Sequence, residues 1–132
     1  MKSLITAAVL FLSVLILITV NYFILNDLID FTENNLAVIP ETLNTLKNIS
    51  AKDKEKISSA LEKIEKKWEK KETFLCLSLK HNVSREFMGQ LIPAKSYFES
   101  GEYPEFLALI LSVKDTLKHI NYDEGLKLGN IL

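Results

Sequence analysis

Cysteine, glycine and proline are all scarce in this chain. A single cysteine, Cys76, excludes an internal disulfide framework and a CxxC zinc site. Four glycines and three prolines in 132 residues are too few for a collagen-like, disordered or loop-rich β chain. An excess of charge of one sign is missing too, since the net charge is −1. Charge of either sign is absent from residues 3–26. The remainder carries 15 basic against 17 acidic side chains, which excludes a strongly basic nucleic-acid binder. No Gly-rich phosphate loop, HExxH helix or serine nucleophile elbow occurs. The expectation is therefore a non-enzymatic protein with no catalytic residue, no cofactor, no metal and no nucleic-acid partner.

What is present is one long apolar run. Residues 4–25 read LITAAVLFLSVLILITVNYFIL. As a helix these would span about 33 Å, close to the ~30 Å thickness of the bilayer's hydrocarbon core. Thr6, Ser13 and Thr19 can bond back to their own helix, and Asn21, Tyr22 and Asn26 suit the headgroup level. A cleaved signal peptide would have an apolar region of about 7–15 residues ending in a small-x-small site. The run here is longer, and no Ala-x-Ala follows it. The expectation is a lipid-embedded, uncleaved anchor. Lys2 precedes it, and Asp27, Asp30 and Glu33 follow it. The positive-inside rule then puts the N-terminus in the cytoplasm and the bulk of the chain outside.

Beyond the run, apolar residues keep helical spacing. Leu36, Ile39, Leu43, Leu46 and Ile49 form a first stripe, interrupted by Pro40, which is either a kink or the first residue of a new helix. Ser50-Ala51-Lys52-Asp53 resembles a capping box and marks the next start. Ile57, Leu61, Ile64 and Trp68 follow, then Phe74, Leu77, His81, Ser84, Met88 and Leu91. These two stripes fit one long helix or two with a break near Thr73. Pro93 should kink its helix without ending it, because Ala94, Tyr97 and Phe98 continue the pattern. Gly101 suits a left-handed cap, and Pro104 the first position of a last helix carrying Phe106, Ile110, Val113, Leu117 and Ile120. Residues 125–132 carry weak signals. The predicted fold is all-α. A cytoplasmic tip and transmembrane helix (1–26) precede a bundle of about three amphipathic helices in antiparallel hairpins (27–132).

Polar residues offer few sites. Residues 52–72 hold eight lysines and six acidic side chains, a mixture that reads as a solvated helix face. Trp68 could anchor a partner, yet its stripe places it in the core. His81 lies on an apolar stripe without a ligand at i±3 or i±4, which favours a buried, hydrogen-bonded imidazole. His119 has Asp115 and Asp123 four residues either side. Cys76 has no activating base on its own helix face. Asn48-Ile49-Ser50 and Asn82-Val83-Ser84 match the glycosylation acceptor pattern, the second inside a predicted helix.

The order of landmarks carries a resemblance. An apolar segment leads to a Lys/Glu helix with Trp68, and His81 follows. A turn at Ser100-Gly101-Glu102 comes next, then Leu117-Lys118-His119-Ile120 and a closing Gly129-Asn130-Ile131-Leu132. The chain resembles a domain-of-unknown-function family of small bacterial membrane proteins, many from spore-forming anaerobes. The resemblance implies a single-pass protein with a helical outer part and no established catalytic residue. It singles out His81, His119 and Asn130. Tyr122-Asp123-Glu124-Gly125 departs from the uniformly helical ending it implies. The functional expectation is an interaction module that binds another membrane or envelope protein, or a second copy of itself. The alternative is an extracytoplasmic sensor or small-ligand-binding domain with His81 inside.

Overall fold

The computed structural model describes residues 1–72 and 81–131, with side chains described for 1–72 and 83–120. Five helices and no strand make up this part of the chain: α1 (Lys2–Leu36), α2 (Leu43–Lys47), α3 (Ala51–Lys70), α4 (His81–Glu99) and α5 (Tyr103–Ile131).

α1 is a single helix of 35 residues, about 52 Å long. It does not stop where the apolar run stops. Its early residues are exposed, including Leu4, Phe11, Leu17 and Phe23. From Leu25 onward it becomes amphipathic and buries Leu25, Leu28, Ile29, Thr32 and Leu36. The thirteen residues 25–37 therefore belong to the bundle, and no turn separates them from the apolar segment. The helix closes with the Ala37 N–H donating to the Glu33 carbonyl. Pro40 stands three residues on and holds the residue before it out of helical geometry.

Pro40 thus neither kinks a helix nor starts one. It lies in the turn between α1 and α2, and Leu36, Ile39 and Leu46 reach the core from a helix end, a turn and a second helix. Thr42 caps α2, its hydroxyl accepting from the Thr45 N–H. Ser50 caps α3 in the same way through the Asp53 N–H, at 3.2 Å, as the sequence predicts. α3 ends at Lys70, where the Lys71 N–H is shared between the Lys67 and Trp68 carbonyls. The helices on either side of 73–80 are thus separate elements. Phe74, Cys76 and Leu77 lie outside the described residues.

α4 passes through Pro93 without ending. The turn after it is a Schellman cap: the Glu102 N–H donates to Tyr97 O and the Gly101 N–H to Phe98 O. That geometry needs φ of +77° at Gly101, where a Cβ would be strained. α5 starts one residue before Pro104 and continues to Ile131, straight across Tyr122-Asp123-Glu124-Gly125. The predicted weak ending is helical.

The helices form a closed ring. α1 packs on α3, α3 on α4, α4 on α5 and α5 back on α1, with α2 lying against α5. The last third of α1 is thus a wall of the bundle, alongside the three long amphipathic helices α3, α4 and α5. The predicted stripes Ile57–Leu61–Ile64–Trp68 and Phe106–Ile110–Val113–Leu117–Ile120 are buried at every position. In α4 Ser84, Leu91, Ala94 and Phe98 are buried as predicted, and the prediction differs at one place. Phe87 is fully buried, whereas Met88 packs only partly against the core.

Candidate functional site at the helix junction

The four residues singled out from the sequence do not converge on one site among the described residues. Trp68 is 1% exposed and belongs to the core. His119 is exposed; its Nδ1 lies 2.9 Å from the Asp115 carbonyl oxygen and 3.6 Å from the Asp115 carboxylate. This is the predicted i,i+4 partner, on the surface. His81 opens α4 and Asn130 lies near the end of α5, but the side chains of both lie outside the described ones, as does that of Asp123. No group of three or more His, Cys, Asp or Glu among the described residues is placed to hold a metal ion.

The junction between the apolar segment and the bundle is built more specifically. Trp68 stacks on Phe87, ring centroids 3.8 Å apart and 17° from parallel. Its indole N–H donates to the Thr32 hydroxyl at 2.9 Å, and that hydroxyl donates to the Leu28 carbonyl at 2.7 Å. A fully buried threonine is thereby satisfied as donor and acceptor. This pair pins α3 to α1 in one register. Just outside it, Lys67 Nζ lies 3.2 Å from an Asp27 carboxylate oxygen and 4.0 Å from the centroid of Phe31. Sequence reasoning missed Thr32, Phe31 and Phe87. The signal for Thr32 is its position seven residues after Leu25 and four after Leu28, on the face that α1 buries.

Charge on α3 is sorted by side, which a count of signs hides. At about 100° per residue, Lys52, Lys56, Lys63, Lys67 and Lys70 fall along one flank and Glu55, Glu62, Glu65 and Glu69 along the other, with Asp53, Lys54 and Lys66 as exceptions. The basic flank lies toward α1: Lys52, Lys56 and Lys63, together with Glu55, border a shallow groove with Asn35 and Val38. The acidic flank lies toward α4: Glu65 pairs with Lys95 at 3.2 Å, and Glu69 borders a cleft with Ser84, Arg85 and Met88. The hydrogen bond from Lys95 to Glu65 raises the lysine's pKa above its ordinary value. Lys66 does the reverse for Glu62, holding that exposed carboxyl below its usual range. Only the Glu62–Lys66 pair fits the predicted picture of pairing along one helix. Lys67 and Glu65 instead tie α3 to both neighbours.

Residues 22–131 match the family described as Domain of unknown function (DUF4363). The match begins at the end of the apolar run and covers the whole bundle, and the chain belongs to this family. No curated protein and no solved structure matches the chain.

Proposed function

We propose that this protein is a single-pass bacterial membrane protein whose helical domain is mounted directly on its anchor and serves as a non-enzymatic interaction module. One observation carries the reading. In the apolar part of α1 the consecutive residues Val9, Leu10, Phe11 and Leu12 are all more than half exposed, so every face of the helix is apolar and unpaired. Soluble monomers rarely expose contiguous apolar patches beyond a few hundred Å². A bilayer is the solvent that such a surface fits, and the helix is long and apolar enough to cross one. Residues 4–25 are the span, its last residue Leu25 already covered by the bundle, with Thr6, Ser13 and Thr19 bonded back to the carbonyls four residues earlier.

The charges flanking the span favour a cytoplasmic N-terminus and an outer bundle. Contacts of Lys67 with Asp27, Lys95 with Glu65 and Phe98 with Phe106 support antiparallel neighbours in the bundle. The partner is another membrane or envelope protein, or a second copy of the chain. Mass spectrometry of the mature N-terminus, with carbonate extraction of membranes, tests the anchor. An intact N-terminus in the carbonate-resistant fraction is expected. A mature chain starting near Asn26 overturns the reading. Cross-linking in intact cells tests the module, with a discrete adduct expected and monomer alone counting against it.

A further inference from the structure

The contacts between α1 and α3 fix the height of α3 above the proposed span. Lys67 reaches Asp27, and Trp68 reaches Thr32. Farther along, the α3 stretch carrying Lys52, Lys56 and Lys63 borders Asn35 and Val38. As numbers rise along α3 they fall along α1, so the C-terminal turn of α3 points back toward the span. Asp27 lies two residues beyond Leu25, a rise of about 3 Å. The polar layer on each side of a bilayer is about 5–7 Å deep. Lys70 and its cap Lys71 lie about 4.5 and 6 Å beyond Lys67 toward the span, so their backbone stands at the hydrocarbon edge near Leu25 and their long stems carry the ammonium groups up into that layer.

We propose that Lys70 and Lys71 bind the phosphate groups of anionic phospholipids beside the anchor. The inference rests on the membrane reading above and adds a second, electrostatic contact to it. Lys70 is exposed and Lys71 half-buried. Neither lysine takes part in an ion pair among the described residues. Asp27, the acidic group nearest the span, is already matched by Lys67. Glu69 and Glu72 stand at the same level, but both border the cleft toward α4, away from the basic flank. A lysine on a flexible four-carbon stem can follow a mobile headgroup without fixed geometry. The same flank continues up to Lys52, 18 residues and about 27 Å higher. At that height the field of the lipid surface is screened, since the Debye length is about 8 Å at physiological salt. The contact belongs to the membrane end of the flank alone.

The test uses the full chain reconstituted in phosphatidylcholine vesicles containing a minority of phosphatidylglycerol. The readout is the ratio of the two lipids retained on the protein after mild detergent extraction. Wild type should be enriched in phosphatidylglycerol, less so as salt rises. Lys70→Ala with Lys71→Ala should lower the enrichment by about fivefold for each lysine removed. Lys52→Ala with Lys56→Ala changes the charge equally and should leave it intact. Added inorganic phosphate at constant ionic strength should not displace the lipid. Equal enrichment in both double variants, or displacement by free phosphate, overturns the proposal while carbonate resistance keeps the anchor reading standing. Extraction of the chain by carbonate overturns both.

Discussion

The two parts of α1 are one helix in two environments. In residues 4–24 large apolar side chains point in every direction and none is fully buried, though Leu15, Ile18, Tyr22 and Ile24 are partly covered. In residues 25–36 the face of Leu25, Leu28, Ile29, Thr32 and Leu36 is buried to within a few percent, with Phe31 partly buried beside it. The same residue types therefore have opposite consequences. A leucine before Leu25 contributes to transfer into a surrounding medium; a leucine after it fills a shaped space against α3 and α5. Burial of a leucine is worth about 1.5–3 kcal/mol in either setting. Only in the second does removing it leave a cavity.

That contrast can be broken at its strongest point first. Trp68→Ala removes the ring stacked on Phe87 and the donor to Thr32. It should cost the bundle about 3–5 kcal/mol, read as a large drop in melting temperature by circular dichroism of the reconstituted full chain. Leu28→Ala comes next, at roughly 2–5 kcal/mol. The matched change Leu17→Ala should stay within about 0.5 kcal/mol in the same melt. Equal losses at Leu17 and Leu28 would abolish the distinction between the two parts.

Thr32→Val keeps shape and removes only the hydroxyl, so the Trp68 N–H is left buried and unpaired. The expected cost is about 1–3 kcal/mol, and Trp68→Phe in the same background should recover part of it. The smallest effect concerns the Lys95–Glu65 pair. Lys95 has a raised pKa when folded. Its contribution is therefore present below the ordinary lysine value of 10.5 and fades as pH climbs past the raised one. With both side chains partly exposed, Lys95→Met should lower stability at neutral pH by no more than about 1 kcal/mol. The gap to wild type should close in strongly alkaline buffer, as followed by melts across pH.

The stripes of α3 and α5 were legible because helical spacing is a local property. Each predicted position from Ile57 to Trp68 and from Phe106 to Ile120 is buried. The caps at Ser50 and Gly101 were legible for the same reason. Phe87 against Met88 was not, because adjacent residues differ by about 100° and only the neighbour, here the Trp68 ring, decides which faces inward. The continuation of α1 past Asn26 was hidden by the change from an all-round apolar surface to a single buried face, which alters the hydrophobic pattern without altering the backbone. The sorting of charge on α3 was present in the spacing but invisible to a sum of signs. Of the candidate site, the His119–Asp115 pair could be read from i,i+4 spacing, whereas the Thr32–Trp68 bond joins residues 36 apart and only tertiary packing reveals it.

If the apolar run is the proposed span, a helix without a hinge beyond it also sets mechanical limits. Hydrophobic spans tilt to match the thickness of their bilayer. A bundle that shares its wall with the span must lean by the same angle, as a stiff arm leans with its base. The shared wall rises about 17 Å from Leu25 to Leu36, and α3 carries the bundle to about 27 Å above Lys70. The bundle cannot sweep the space around it as a domain on a flexible tether would. On the proposed reading, a partner would have to come within that height and approach at the angle of the span. On the function proposed above, local bilayer thickness would control which partners meet the bundle face to face.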